Sequence, residues 1–301
     1  MGRLGLIWGV CIAFIIALPG ISYAAGKSAA PLIVQVGKPV EGKINGTDVL
    51  FKLMPDVGGY PVLNPDTAER LKLDGSLPTS FEAKMGPVRV PGKISTAQFD
   101  LAGGRFEKKV VWFERPVAPD ADGRLGPDSV PRSIIIFSLR APDAREKQTS
   151  LPLIDQDNGL GVAMTVGGKS IFVRFSPDLP YSRSTAAAGK LIADSLGGQL
   201  IGPAREMQIV LGVTRPVRDI KLSKPLTIGP LAINGFAARI WDGGSLSGVA
   251  DADIDANEIV VTGAQSKIKP RYFLNLGSDA LQACSSLTFD KTRKTITLSC
   301  L

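Results

Sequence analysis

Histidine is absent from the 301-residue chain. Its absence removes Ser-His-Asp and Cys-His catalysis and any His-ligated zinc site. Cysteine is nearly as scarce. Of three, Cys11 lies in an apolar N-terminal stretch, which leaves only Cys284 and Cys300, too few for a Cys-only zinc centre. No Gly-rich loop of the P-loop type is present to cradle phosphates. The formal charge is +7, but Lys and Arg are scattered among Asp and Glu with no basic stripe, so nucleic-acid binding has no support. Attraction to an anionic envelope surface would be mild and non-specific. After the first 24 residues no apolar run approaches spanning length, so no transmembrane segment is expected in the rest of the chain. An enzyme of this composition is left with carboxylate, hydroxyl or lysine chemistry, and no cofactor or metal is implied.

What is present begins with a leader. Arg3 precedes an apolar run at 4–18, Pro19-Gly20 breaks it, and Ser22-Tyr23-Ala24 supplies small residues for cleavage after Ala24. Residues 1–24 therefore read as a secretory signal peptide, which predicts a periplasmic or secreted protein. In that oxidising setting Cys284 and Cys300 acquire a role. The midpoint between them falls at Thr292, in a turn between two alternating strands, so they face each other across a hairpin. A disulfide is expected, with two free buried thiols as the alternative.

The strongest internal signal is a repeat. The segment from Ile44 to Asp56, INGTDVLFKLMPD, returns from Val166 to Asp178 as VGGKSIFVRFSPD, with glycine, apolar trio, cation and Pro-Asp in register. Each copy reads as a hairpin turn, a strand and a stop at proline. A second pair, Leu125-Gly126-Pro127-Asp128 and Leu276-Gly277-Ser278-Asp279, closes the two halves. Further strands are expected at 31–36, 40–44, 81–85, 88–90, 94–101, 106–113 and 134–139, with a surface connection at 142–150. A helix is expected at 65–73, capped by Asp66 or Thr67, and another at 185–196 ending at Gly197-Gly198. The second half adds strands at 206–211, 219–222, 226–228 and 237–241, then a small, acidic excursion at 243–257. Trp112, Phe113 and Trp241 read as core aromatics. Arg215 and Arg218 could bind a carboxylate or pair with nearby Asp219, ion pairing being the default, and Asp128 and Asp279 read as helix or turn caps.

This order of hairpin, apolar strand, short Ala-x-x-Leu helix and Leu-Gly-x-Asp element resembles the retropepsin-like and pepsin-like aspartic peptidases. The resemblance covers nearly the whole chain after the leader. It implies a mainly β fold of two acid-protease β-barrel lobes, 25–150 and 151–301, related by a pseudo-two-fold axis with one short helix each. Such enzymes carry Asp-Thr-Gly or Asp-Ser-Gly at the strand end in each lobe, and the two carboxylates share one proton and activate water. Here the hairpin glycines Gly46 and Gly168 put Met54 and Ser176 at those aspartate positions. The resemblance therefore implies a catalytically degenerate pseudoenzyme that holds an extended peptide or an envelope protein partner in the groove between lobes. One alternative is an active aspartic endopeptidase, a hydrolase, using the repeat-equivalent Asp56 and Asp178, since Asp56-Val57-Gly58 is similar to Asp-Thr-Gly while Asp178-Leu179-Pro180 is not. Another is a structural cell-envelope assembly protein. The segment from Glu258 to Gly263, EIVVTG, is either a TonB-box-like docking strand or an ordinary core strand.

Overall fold

The computed structural model describes residues 30–75, 81–85, 88–156, 159–253 and 269–301. The expected signal peptide and the 258–263 segment lie outside them.

The first half runs β1 (Leu32–Gln35), β2 (Val40–Ile44), β3 (Thr47–Leu53), β4 (Val62–Leu63), α1 (Pro65–Arg70), β5 (Phe81–Met85), β6 (Val88–Leu101), β7 (Gly104–Phe113), β8 (Gly123–Leu125) and β9 (Ile134–Ser138). The second runs β10 (Lys147–Pro152), β11 (Ile154–Gln156), β12 (Gly159–Val166), β13 (Lys169–Phe175), β14 (Arg183–Ser184), α2 (Ala186–Leu196), β15 (Gly198–Val210), β16 (Val213–Ile228), β17 (Leu231–Arg239), β18 (Ala250–Asp251), β19 (Phe273–Leu276), α3 (Ser278–Leu281), β20 (Cys284–Asp290) and β21 (Thr295–Cys300).

The repeated stretch folds as the same hairpin twice. Asn45 and Gly46 both take positive φ, as do Gly167 and Gly168, which is the backbone twist a two-residue hairpin turn needs. Strand alternation then buries Val49, Phe51 and Leu53 in one copy and Ile171, Val173 and Phe175 in the other. Their register continues into the same neighbours. The first sheet has the order β2-β3-β8-β4-β7-β6-β5, and pairing of β2 with β6 closes six of these strands into a barrel. Within the second sheet, β12-β13-β19-β14-β17-β16-β15 repeats that order, with β11 and β18 added at its edges. Parallel pairs fall at matching places, β3–β8 with β13–β19 and β4–β7 with β14–β17. No β12–β16 pairing closes the second sheet among the described residues, and α2 lies against both strands. The chain is thus mainly β, with one closed six-strand barrel and three α-helices among the described residues.

A third sheet, β1-β9-β20-β21-β10, is built from both halves. Cys284 and Cys300 are cross-strand partners in it and form the expected disulfide. Ile135, Phe137, Leu287, Phe289, Ile296 and Leu298 are fully buried there, so apolar burial ties the chain's end to its middle. One continuous apolar core includes residues of both halves.

Several expectations need correction. The 142–150 connection is partly strand, because β10 pairs with β21 along the shared sheet. Pro91-Gly92 does not break a strand. Gly92 lies inside β6, where a Cβ would come 2.7 Å from the Phe113 ring, so this glycine permits close approach rather than a turn. Residues 206–228 form two long strands in place of three short ones. Helix α1 ends at Arg70 and is preceded by Asn64, not capped by Asp66 or Thr67. The Asn64 amide is committed elsewhere, accepting from Val117 and Ala118 N–H and donating to the carbonyls of Ala118 and Ala121. Helix α2 has Thr185 and left-handed Gly197 at its ends as expected. Trp112 and Phe113 are core residues, whereas Trp241 is half-exposed.

Candidate functional site

The two repeat-equivalent strand ends meet between the halves. Each strand stops because proline follows, and each is held by the same bonds. Met54 N–H donates to Leu125 O at 2.9 Å and Ser176 N–H to Leu276 O at 2.8 Å, while Val57 and Leu179 donate back to the carbonyls of Met54 and Ser176. Met54 is buried and Ser176 has no exposed surface.

Across the junction Ser176 Oγ donates to Asp56 Oδ2 at 2.9 Å. The other Asp56 oxygen, Oδ1, is buried without a hydrogen-bond partner, and Arg174 donates to the Asp56 carbonyl at 3.3 Å. Asp178 is exposed, and among the described residues no hydrogen bond joins the two carboxylates. They do sense each other. Protein packed around the Asp178 carboxyl, and secondarily the charge of Asp56, push its pKa up, against the lowering pull of Lys52 and Arg124.

The loops after both strand ends are clamped by the Leu-Gly-x-Asp elements. Asp128 Oδ2 accepts from Gly59 N–H at 3.0 Å. Asp279 accepts from Ser182 N–H at 3.0 Å and Ser182 Oγ at 2.8 Å. Both aspartates thus anchor a distant loop, and the cap positions expected of them belong to Gly126 and Gly277. A Cβ on Gly126 would lie 1.7 Å from the Val57 carbonyl oxygen, and one on Gly277 2.6 Å from the Tyr181 carbonyl carbon. Only glycine leaves room for backbone to pass so closely.

Two further contacts close the halves together. A Cβ on Gly159, at φ +101°, would stand 2.7 Å from Gly58 Cα, so the chains cross there at two glycines. The turn of the β15–β16 hairpin reaches the first half, with Leu211 buried against Phe113 and Val117 and Arg115 donating to Gly212 O at 3.1 Å.

The second sheet brings a row of arginines to this junction. Arg174 pairs with Asn275, Asn275 with Arg183, and Arg183 with Ala237, so their side chains share a face. Arg239 and Arg215 lie on the same face by alternation from Ala237 and from Val217, the partner of Arg239. Arg174 Nε donates to Asn275 Oδ1 at 3.0 Å, and Arg174 and Arg271 both lie over the Phe273 ring. Arg183 donates to the carbonyls of Gln208 and Ile209, Arg239 pairs with Asp242 at 3.4 Å, and Arg215 donates to Trp241 O while lying over its ring. The expected partner of Arg215 and Arg218 is taken: Asp219 pairs with Arg205 at 2.7 Å and Arg218 with Asp251. Burial pushes Arg183 down to about 10, aided by repulsion from Arg239 and Arg174 and opposed by Asp56. Arg174 and Arg239 are lowered for the same first cause.

A cavity of about 440 Å³ lies at the other end of β3, lined by Asn45, Gln98 and Arg105, away from these groups. Among the described residues no group of three or more Cys, Asp and Glu converges as a metal site, and no helix is long and apolar enough to cross a membrane. Comparison of the chain with protein-family models finds no match, and comparison with curated proteins finds none.

Proposed function

We propose that the chain is an exported protein with two retropepsin-like lobes, 25–150 and 151–301, related by a pseudo-two-fold axis, that has lost its catalytic pair and binds an extended peptide or envelope partner in the groove between them. The observation that carries this reading is the hydrogen bond from Ser176 to Asp56, with buried Met54 at the matching strand end. An aspartic dyad works because two carboxylates share one proton. One carboxylate occupied by a hydroxyl, beside a thioether, has no second acid to take or return that proton. The repeated strand order supports the two-lobe arrangement, and a groove between two such lobes would suit strand addition by an extended peptide.

A second reading, an active endopeptidase using Asp56 and Asp178, is favoured by one observation: the pKa of Asp178 is raised in part by Asp56, as in a carboxylate pair that cannot ionise together. Incubation of the purified protein with denatured casein between pH 3 and pH 7 separates the two. The degenerate reading expects no cleavage. Pepstatin-sensitive cleavage that is lost in Asp56→Asn and in Asp178→Asn would establish the second.

A further inference from the structure

Resting on the groove reading above, we infer that the arginine face of the second sheet selects the bound peptide by its side-chain carboxylates. Strand register places Arg174, Arg183, Arg239 and Arg215 on one face, although they are scattered over 66 residues of sequence. All four are half-buried, so each has lost part of its hydration yet remains reachable. Among the described residues, few acids face Arg183, Arg239 and Arg215. Asp56 faces Arg174 and Arg183, Asp242 faces Arg239, and Asp219 is held by Arg205. Among the described residues Arg215 Nε is buried without a partner, and the exposed Arg271 guanidinium lies over the Phe273 ring. Mutual repulsion contributes to the lowered pKa of Arg183 and Arg239, and an incoming anion would relieve it.

Guanidinium forks match carboxylates in plane and spacing better than any other peptide group. An extended strand shows alternate side chains to one face, so a peptide with an acid at every second position would present all its carboxylates to this row. A basic peptide would meet like charge, and a neutral one would leave the guanidiniums desolvated without return.

The test is fluorescence anisotropy with the full chain and a labelled, C-terminally amidated peptide of about ten residues alternating threonine and glutamate, beside the same peptide with glutamine. The glutamate peptide is expected to bind at least about ten-fold tighter, and to weaken by about ten-fold in Arg215→Gln and in Arg271→Gln. Raising salt should weaken it further. Arg105→Gln, at the far end of the barrel, is the control expected to leave binding unchanged, and thermal melting shows that each variant is folded. Equal binding of the two peptides overturns this inference and leaves the groove reading standing. Binding of neither overturns both. A glutamate preference untouched by Arg215→Gln and Arg271→Gln overturns the assignment to this face.

Discussion

Ser176 is the donor that satisfies one oxygen of Asp56, and the other oxygen is buried with none. Ser176→Ala therefore leaves a carboxylate short of its remaining partner, which costs about 1–3 kcal/mol. Urea unfolding of Ser176→Ala, Asp56→Ala and the double variant measures it, and the serine substitution should cost little once Asp56 is gone. A loss of the same size in both backgrounds would show the bond contributes nothing. Asp178 bears on pH. Its folded pKa is raised, so the stability it contributes is complete below its ordinary value of 3.8 and is lost as pH rises through the raised value. At neutral pH its charge is a liability. Asp178→Asn should then melt higher than the parent at pH 7, with the gap closing below pH 4. The hydrogen-bonded pair was not legible from the repeat, and the reason is geometric. Internal symmetry equates Asp56 with Asp178 and Met54 with Ser176, whereas the bond joins Asp56 to Ser176, two positions that the symmetry does not equate.

At the scale of elements, the repeated hairpin was legible to the residue. β3 and β13 lie at the same offset as the two sequence copies, since positive-φ turn residues set their start and proline their end. Long strands were less so. Pro91-Gly92 and Arg215-Pro216 look like punctuation, yet pairing of Pro91 with β5 and of Arg215 and Pro216 with β15 carries β6 and β16 through them, so tertiary context outweighs local turn chemistry. The arginine face had no local signal at all, because only cross-strand register makes neighbours of Arg174, Arg183 and Arg239. The Leu-Gly-x-Asp elements were visible as a motif while their work was not: the glycine clears space for the loop that the aspartate ties down. Gly126→Ala is expected to cost about 3 kcal/mol, since backbone at Val57 must move to admit the methyl. Gly37→Ala, a positive-φ glycine with open space around it, should cost only the smaller backbone strain of about 1 kcal/mol. Chemical denaturation of the two variants distinguishes crowding from conformation.

For the whole molecule, the shared sheet decides whether two similar halves behave as one body. Its strands come from distant parts of the chain: β1 and β9 from before residue 140, β20 and β21 from after residue 283, and β9 pairs along its whole length with β20. Phe137 and Phe289 meet edge to face at 5.5 Å across that pairing, with both rings fully buried. Neither half can unfold without exposing this seam. Two of the three tryptophans report on it separately, Trp112 from the first half and Trp241 from the second. In a chain lacking Trp8, unfolding followed through Trp112 in Trp241→Phe and through Trp241 in Trp112→Phe should give single transitions, and removing the disulfide should lower both midpoints together. Closing a loop of 16 residues is worth about 3 kcal/mol, so Cys284→Ser with Cys300→Ser should show a loss of that order under either probe. The seam explains why the effect is shared: the β20–β21 hairpin that the disulfide closes is also the strand pair on which β9 rests. A Trp241 midpoint that falls while the Trp112 midpoint holds would mean that the halves fold independently and that the third sheet merely lies between them.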